Sequence, residues 1–138
     1  MKHRRKSREL AIQILYSYQK NPKPLEELFE DVLFQKTSMD HREYATLLVN
    51  GVWEHQKELN RIISEYSKNW NLSRIAVLDR ILLQIALFEM TRLEEIPEAV
   101  SINEAVELGK KFSTAESGKF LNGILDQFHK DREELNSQ

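Results

Sequence analysis

The 138-residue sequence predicts an all-α protein of about six to seven helices. Glycine and proline together supply seven residues, about 5% of the chain against a typical combined usage of roughly 12%. Apolar residues recur at spacings of three and four along the chain, and strict alternation is not sustained anywhere. Long helices with short connections satisfy both observations, whereas a β-sandwich or an α/β fold needs more tight turns.

Three helices are predicted in the first half of the chain. The first carries one apolar face and ends before the proline-containing break at Asn21–Pro24. A second apolar stripe follows over residues 25–33. The period then continues from Tyr44 to Tyr66, which predicts one long third helix. Gly51 lies inside it at a cost of up to about 1 kcal/mol relative to Ala, so a close helix crossing is expected there.

The stretch Trp70–Ser73 is the expected joint between two halves of a single domain over residues 1–138. The halves would span about residues 1–68 and 69–138. A segment from 75 to 88 is apolar almost all round, which is typical of the buried centre of a helical bundle.

Two further helices are predicted after Pro97, each from the spacing of a capping box. Ser101 with Glu104 predicts the start of one helix, and Ser113 with Glu116 predicts the start of the last. The charged tail from Lys130 onward is expected to fray.

Catalytic and metal-binding patterns do not occur in this sequence. There is no cysteine, and the four histidines lack ligand spacing. The four glycines form neither a dinucleotide fingerprint nor a phosphate loop, and no G-x-S-x-G motif is present. The sequence therefore predicts no enzyme, no catalytic residue, no metal ligand and no cofactor.

A soluble, cytoplasmic protein is expected from the same composition. Neither a secretory signal nor an apolar run long enough to cross a bilayer is evident in the sequence. The absence of cysteine fits a reducing compartment.

Positive charge is concentrated in a short arm at the N-terminus. Five of the first eight residues are cationic, namely Lys2, Arg4, Arg5, Lys6 and Arg8. The formal charge of the whole chain is −2, so the remaining 130 residues carry about −7. Arginine presents a planar donor fork to phosphate oxygens, so the arm is expected to bind nucleic acid. The alternative is a solvated, frayed terminus.

Three parts of the chain carry a family resemblance. They are residues 4–9 leading into 13–16, residues 78–89, and residues 101–112 followed by 118–125. In this order and at these separations they resemble the NusB family of bacterial transcription antitermination factors. The resemblance covers nearly the whole chain and is weakest between residues 20 and 60.

This resemblance implies a fold and a function. The fold would be NusB-like, with two small helical bundles packed together. The function would be to bind boxA-type single-stranded RNA together with NusE, a ribosomal protein of the small subunit. The complex would join other Nus factors on RNA polymerase and support transcription of ribosomal RNA operons. Some members of the family form homodimers, so a homodimer is possible here.

Individual site residues also follow from the resemblance. The RNA-binding set is Arg4, Arg5, Lys6, Arg8, Gln13, Lys119, Phe120 and Asn122. The NusE-binding set is Tyr16, Asp79 and Glu116. The arm would supply phosphate contacts, and an exposed Phe120 ring could stack an unpaired base for about 1–3 kcal/mol.

Several of these residues could instead have a purely structural role. Phe120 shares a helix face with Ile124 and Phe128, so it could equally be part of the core. Tyr16 could be a half-buried phenol, and Asp79 could form an ion pair with the neighbouring Arg80. Glu116 could serve only as the second residue of its capping box.

Two rival functions are compatible with the sequence. One is a helical protein–protein scaffold or homodimer without direct RNA binding. The other is the NusB-like domain fused to ribosomal RNA cytosine methyltransferases. The second is disfavoured because these 138 residues contain neither a cysteine nor a cofactor-binding domain.

Overall fold

The computed structural model describes residues 2–33, 39–68 and 75–137. Seven α-helices and no strand lie in these ranges, which confirms the all-α prediction. The helices are α1 (Lys2–Lys20), α2 (Leu25–Leu33), α3 (Met39–Glu54), α4 (Gln56–Tyr66), α5 (Val77–Arg92), α6 (Glu98–Phe112) and α7 (Ala115–Asn136). The predicted joint at Trp70–Ser73 lies outside the described residues.

The helices belong to two compact units, residues 1–54 and 55–138, called here the N-terminal and C-terminal units. In the N-terminal unit, α1 packs against both α2 and α3. The buried apolar side chains of this unit are Leu10, Ala11, Ile12, Ile14, Leu15, Leu28, Ala45, Leu48, Val49 and Val52. The first helix ends at Lys20, ahead of the two prolines, as predicted.

The apolar period from Tyr44 to Tyr66 belongs to two helices, so the prediction of one long third helix is wrong. His55 separates α3 from α4 with φ −109° and ψ 19°. Its ring stacks on Phe88 of α5, with centroids 6.0 Å apart, inside the C-terminal unit. Val52 and Leu59 are seven residues apart and both buried, so the apolar period keeps its phase across the break. Periodicity therefore cannot detect a single non-helical residue.

Helix α5 is the centre of the C-terminal unit. It packs against α4, α6 and α7, and every residue from Ile81 to Met90 is buried. Within this run the Gln84 amide donates a hydrogen bond to Asn60 Oδ1 of α4 at 3.0 Å. The predicted buried centre is confirmed, although the helix itself begins only at Val77.

Both predicted capping boxes are wrong, the first by four residues and the second by one. Helix α6 starts at Glu98, because Pro97 before it adopts φ −57° and ψ 137° and cannot donate a backbone hydrogen bond. Ser101 consequently lies inside the helix, where it is buried. Helix α7 is capped by Thr114, whose Oγ1 accepts a hydrogen bond from Ser117 N at 3.1 Å.

The charged tail that the sequence predicts to fray continues α7 as far as Asn136, and Arg132 anchors it to the rest of the C-terminal unit. Arg132 Nη1 donates to Met90 O at 2.6 Å and lies 3.3 Å from Glu98 Oε1. Its guanidinium also lies 5.5 Å from the centroid of the Phe128 ring. These contacts hold the last turns of α7 against α5 and α6.

Tyr66 joins the end of α4 to α7. Its hydroxyl donates to Asp131 Oδ2 at 2.6 Å, and its ring meets Phe128 edge-on with centroids 5.5 Å apart. Burial, followed by the bond to Asp131, raises the pKa of Tyr66 to about 12. Hydrogen bonds from Tyr66 and Gln127 hold the pKa of Asp131 below its usual value.

Replacing Tyr66 with phenylalanine removes this hydrogen bond and keeps the ring. Loss of the Tyr66 hydroxyl is expected to reduce the free energy of unfolding by about 1 kcal/mol near neutral pH. Because the pKa of Asp131 is lowered by folding, the stabilisation is present above the unfolded pKa of 3.8 and is lost as pH falls through the folded pKa. Urea unfolding of both proteins at a series of pH values, from about 7 into the acid range, measures the difference in their free energies of unfolding. A difference that stays constant down to the pH at which the wild type itself unfolds would contradict the role of Asp131.

Candidate nucleic-acid and partner interface

The predicted basic arm forms the first two turns of α1. A helix distributes consecutive side chains around its axis, so Arg5 and Lys6 do not share a face with Arg4 and Arg8. Arg5 and Lys6 are exposed, whereas Arg4 is half-buried and Arg8 is buried. The structure therefore separates the arm into accessible and inaccessible charges.

The two less accessible arginines, Arg4 and Arg8, lie over the ring of Tyr44 in α3. The guanidinium carbon of Arg4 lies 4.7 Å from the centroid of the Tyr44 ring, and that of Arg8 lies 5.9 Å away. Arg8 is only 3% exposed. Arg8 thus packs within the N-terminal unit and is not available to an external phosphate in this conformation.

The exposed face of α1 continues toward its C-terminal end. Gln13 and Tyr16 are both exposed and lie three residues apart, so they are neighbours on the helix surface. One turn further, Lys20 Nζ lies 5.3 Å from the centroid of the Tyr16 ring. An amide, a phenol ring and an ammonium group are therefore presented side by side to solvent.

In the C-terminal unit, α7 presents Lys119 and Asn122 to solvent on neighbouring positions. Lys119 Nζ lies 3.6 Å from Glu116 Oε1, with both side chains more than three-quarters exposed. An ion pair that exposed is weak, so both groups remain available to a ligand. Glu116 is not a capping residue, since Thr114 occupies the cap.

Phe120 lies on the buried face of α7. It is 8% exposed, and Ile124 and Phe128 on the same face are buried as well. Of the two interpretations that the sequence left open, the structure favours the core.

Asp79 is also buried, at the start of α5. Its Oδ2 accepts a hydrogen bond from Ser117 Oγ at 3.1 Å, and Ser117 Oγ lies 2.8 Å from Ser113 Oγ. Burial raises the pKa of Asp79, and the bond from Ser117 opposes that shift. Asp79 therefore fastens α5 to the turn between α6 and α7 and presents little surface to a partner.

One exposed aromatic residue near this turn was not singled out by the sequence. Phe112, the last residue of α6, is 45% exposed, and Lys111 Nζ lies 5.1 Å from its ring centroid. Its spacing from buried Leu108 and Gly109 predicts a core residue. Only the position of the helix end reveals that the ring faces solvent.

Metal-binding and membrane-spanning features are absent from the described residues. Across residues 2–33, 39–68 and 75–137, no group of three or more histidine, cysteine or acidic residues could hold a metal ion. Among the described helices, none is long and apolar enough to cross a membrane.

Comparison with known proteins identifies the family to which this chain belongs. The NusB family model matches residues 5–130 of the chain. The chain belongs to the NusB family. This confirms the resemblance seen in the sequence, and because NusB proteins are transcription antitermination factors it also confirms the prediction that the protein is not an enzyme.

Individual NusB relatives agree over nearly their full lengths. The transcription antitermination protein NusB of Elusimicrobium minutum (strain Pei191) is 44% identical to this chain, with 96% of each protein covered. The solved structure of T. maritima NusB is 34% identical, with a TM-score of 0.84 over 92% of this chain and 90% of that one. A structure of antitermination factors NusB and NusE in complex with double-stranded RNA is 28% identical, with a TM-score of 0.84 over 95% of this chain and 98% of that one.

Proposed function

We propose that this NusB-family protein is a transcription antitermination factor that binds RNA together with a NusE-type ribosomal protein. The observation that carries the proposal is the basic start of α1, where Arg5 and Lys6 stand exposed on a chain that is otherwise acidic. Membership of the NusB family, and the relative solved with NusE and RNA, support RNA as the partner of this positive charge. At the finer level, the RNA is boxA-type, and the complex joins other Nus factors on RNA polymerase at ribosomal RNA operons.

The proposed RNA contacts lie on exposed side chains of each unit. In the N-terminal unit, Arg5 and Lys6, with Arg4 partly accessible, bind phosphates. Gln13 contributes a polar contact from the same helix. In the C-terminal unit, the RNA contacts are Lys119 for phosphate and Asn122 for a base edge. Arg8 and Phe120, which are buried, support these surfaces from within.

Fewer residues can contact NusE directly than the sequence suggests. Tyr16 and Glu116 are exposed and can meet a protein partner directly. Asp79 acts through Ser117, because its carboxylate is buried and holds the start of α7. Outside its first eight residues the chain carries about −7, and complementary charge of this kind speeds association with a basic partner.

The double variant Arg5→Ala/Lys6→Ala tests this function. Single-stranded RNA binding loses about 0.7 log units of affinity per log unit of salt for each neutralised phosphate, so the variant should flatten the salt dependence by about 1.4. Affinity for boxA RNA, measured by fluorescence anisotropy with NusE present and absent, should fall at low salt. Lys57→Ala/Lys68→Ala is the matched control, since it removes two exposed lysines elsewhere in the chain.

The outcomes separate the competing functions. If the double variant has wild-type affinity and salt slope, the arm is incidental. If the wild type binds neither single-stranded boxA RNA nor the corresponding duplex, with or without NusE, the protein is a scaffold rather than an RNA-binding factor. A scrambled single strand measures base selectivity separately from phosphate binding.

A further inference from the structure

The end of α6 carries an exposed aromatic ring in contact with one lysine, and two further exposed lysines lie on α6 and α7. Phe112 is 45% exposed at the end of α6, with Lys111 Nζ 5.1 Å from its ring centroid. Lys110 precedes them, and Lys119 lies in the second turn of α7. Single exposed apolar residues are common and need no explanation by themselves. Phe112 differs from such residues because a lysine lies against its ring and because contacts between α6 and α7 hold the helix end that carries it.

The support consists of contacts that hold α6 and α7 together at this turn. Ser117 Oγ lies 2.8 Å from Ser113 Oγ and also bonds the buried Asp79 carboxylate. The stem of Lys110 lies directly across Gly118, because a Cβ atom there would be 3.0 Å from Lys110 Cγ. The end of α6 is therefore fixed beside the start of α7, and Phe112 extends from this supported helix end with Lys111 against its ring.

Lys110 and Lys119 hold only weak, exposed ion pairs and can therefore bind an anionic ligand. Lys110 Nζ is 3.7 Å from Glu107 Oε1, and Lys119 Nζ is 3.6 Å from Glu116 Oε1. Both pairs are exposed at the surface, where such ion pairs contribute little, so a phosphate can replace either carboxylate. An apolar protein side chain on the ring would have to dehydrate several ammonium groups, which are strongly hydrated. An unpaired base with its flanking phosphates meets both the ring and the cations favourably.

We propose that Phe112 is the base-stacking residue of the C-terminal unit, with Lys110, Lys111 and Lys119 as its phosphate contacts. This inference rests on the proposed RNA-binding function and deepens it by moving the stacking role away from Phe120. The Phe120 ring is 8% exposed and has no room for a base without leaving the core. Phe112 lies at the surface and can stack a base without any rearrangement of the fold.

Binding of single-stranded boxA RNA by Phe112→Ala tests the stacking role. Loss of one base–aromatic stack should weaken affinity about 5- to 150-fold. The salt slope should not change, because the ring neutralises no phosphate. Phe112→Tyr keeps an aromatic face and should bind within about twofold of the wild type. Leu135→Ala, another exposed large apolar side chain of the C-terminal unit, is the control and should bind like the wild type.

A second readout identifies the stacked base directly. With 2-aminopurine replacing each adenine of the RNA in turn, one position should be quenched by the wild type and by Phe112→Tyr, but not by Phe112→Ala. Wild-type affinity and quenching in Phe112→Ala would overturn the inference and leave the proposed function standing. Loss of NusE binding with RNA affinity intact would assign the ring to a protein contact instead. Failure of the wild type to bind RNA would overturn both proposals.

Discussion

Replacing Phe120 with alanine is expected to lower the free energy of unfolding by about 3–5 kcal/mol. The ring is 8% exposed and shares its helix face with Ile124 and Phe128, which are also buried. Removing it loses the transfer free energy of the ring and leaves a cavity that the neighbouring helices fill only partly. A loss of that size is a large part of the stability of a typical domain, so chemical denaturation should show it clearly.

Phe120→Ala also tests whether Phe120 packs in the core or recognises RNA. Phe120→Leu keeps most of the buried volume and is expected to lose less than about 1.5 kcal/mol, which makes it the matched control. Selectivity for boxA RNA over a scrambled strand should be unchanged in both variants at a temperature where each is folded. Wild-type stability in Phe120→Ala combined with lost selectivity would contradict the core assignment and return the stacking role to this residue.

The contrast between Phe112 and Phe120 shows what apolar spacing can and cannot predict. Both rings continue the period of a helix, and the sequence gives no reason to bury one and expose the other. The difference arises because α6 ends at Phe112, whereas α7 runs well beyond Phe120 and keeps that face against the core. Helix faces were therefore predictable from the sequence, and the burial of a residue at a helix end was not.

Helix boundaries were less predictable than helix faces for a related reason. Ser113 and Thr114 are adjacent and have similar capping chemistry, so the sequence does not distinguish them, and the structure places Thr114 at the cap. His55 interrupts the chain between α3 and α4 without changing the apolar phase. The charged end of α7 stays helical because Arg132 finds partners on Met90 and Glu98, contacts that no local pattern encodes.

The spacing of the charges in the arm, and not only their number, predicts which of them face solvent. Arg4, Arg8, Ala11 and Leu15 are spaced four, three and four residues apart, so they lie along one face of α1. Ala11 and Leu15 are buried, and this face of the helix continues into the arm. The spacing therefore indicates that Arg8 points inward, whereas Arg5 and Lys6 fall on other faces.

Arg8→Ala is accordingly expected to destabilise the protein by about 2–3 kcal/mol, rather than to weaken RNA binding directly. The variant loses the buried stem and the approach of the guanidinium to the Tyr44 ring at 5.9 Å. A desolvated contact between a cation and an aromatic ring contributes about 2 kcal/mol or more, and the packed methylene groups add to it. Urea unfolding monitored by circular dichroism measures the loss.

Arg5→Ala is the matched control, because it removes the same side chain from an exposed position of the same helix. It should leave the free energy of unfolding within about 0.5 kcal/mol and flatten the salt dependence of RNA binding by about 0.7. Arg8→Ala should instead lower the free energy of unfolding and keep the wild-type salt dependence of RNA binding, measured at a temperature where the variant is folded. Wild-type stability with a flattened salt slope in Arg8→Ala would mean that this arginine leaves Tyr44 to bind phosphate. Arg8 would then join the exposed Arg5 and Lys6 and the half-buried Arg4 in binding RNA.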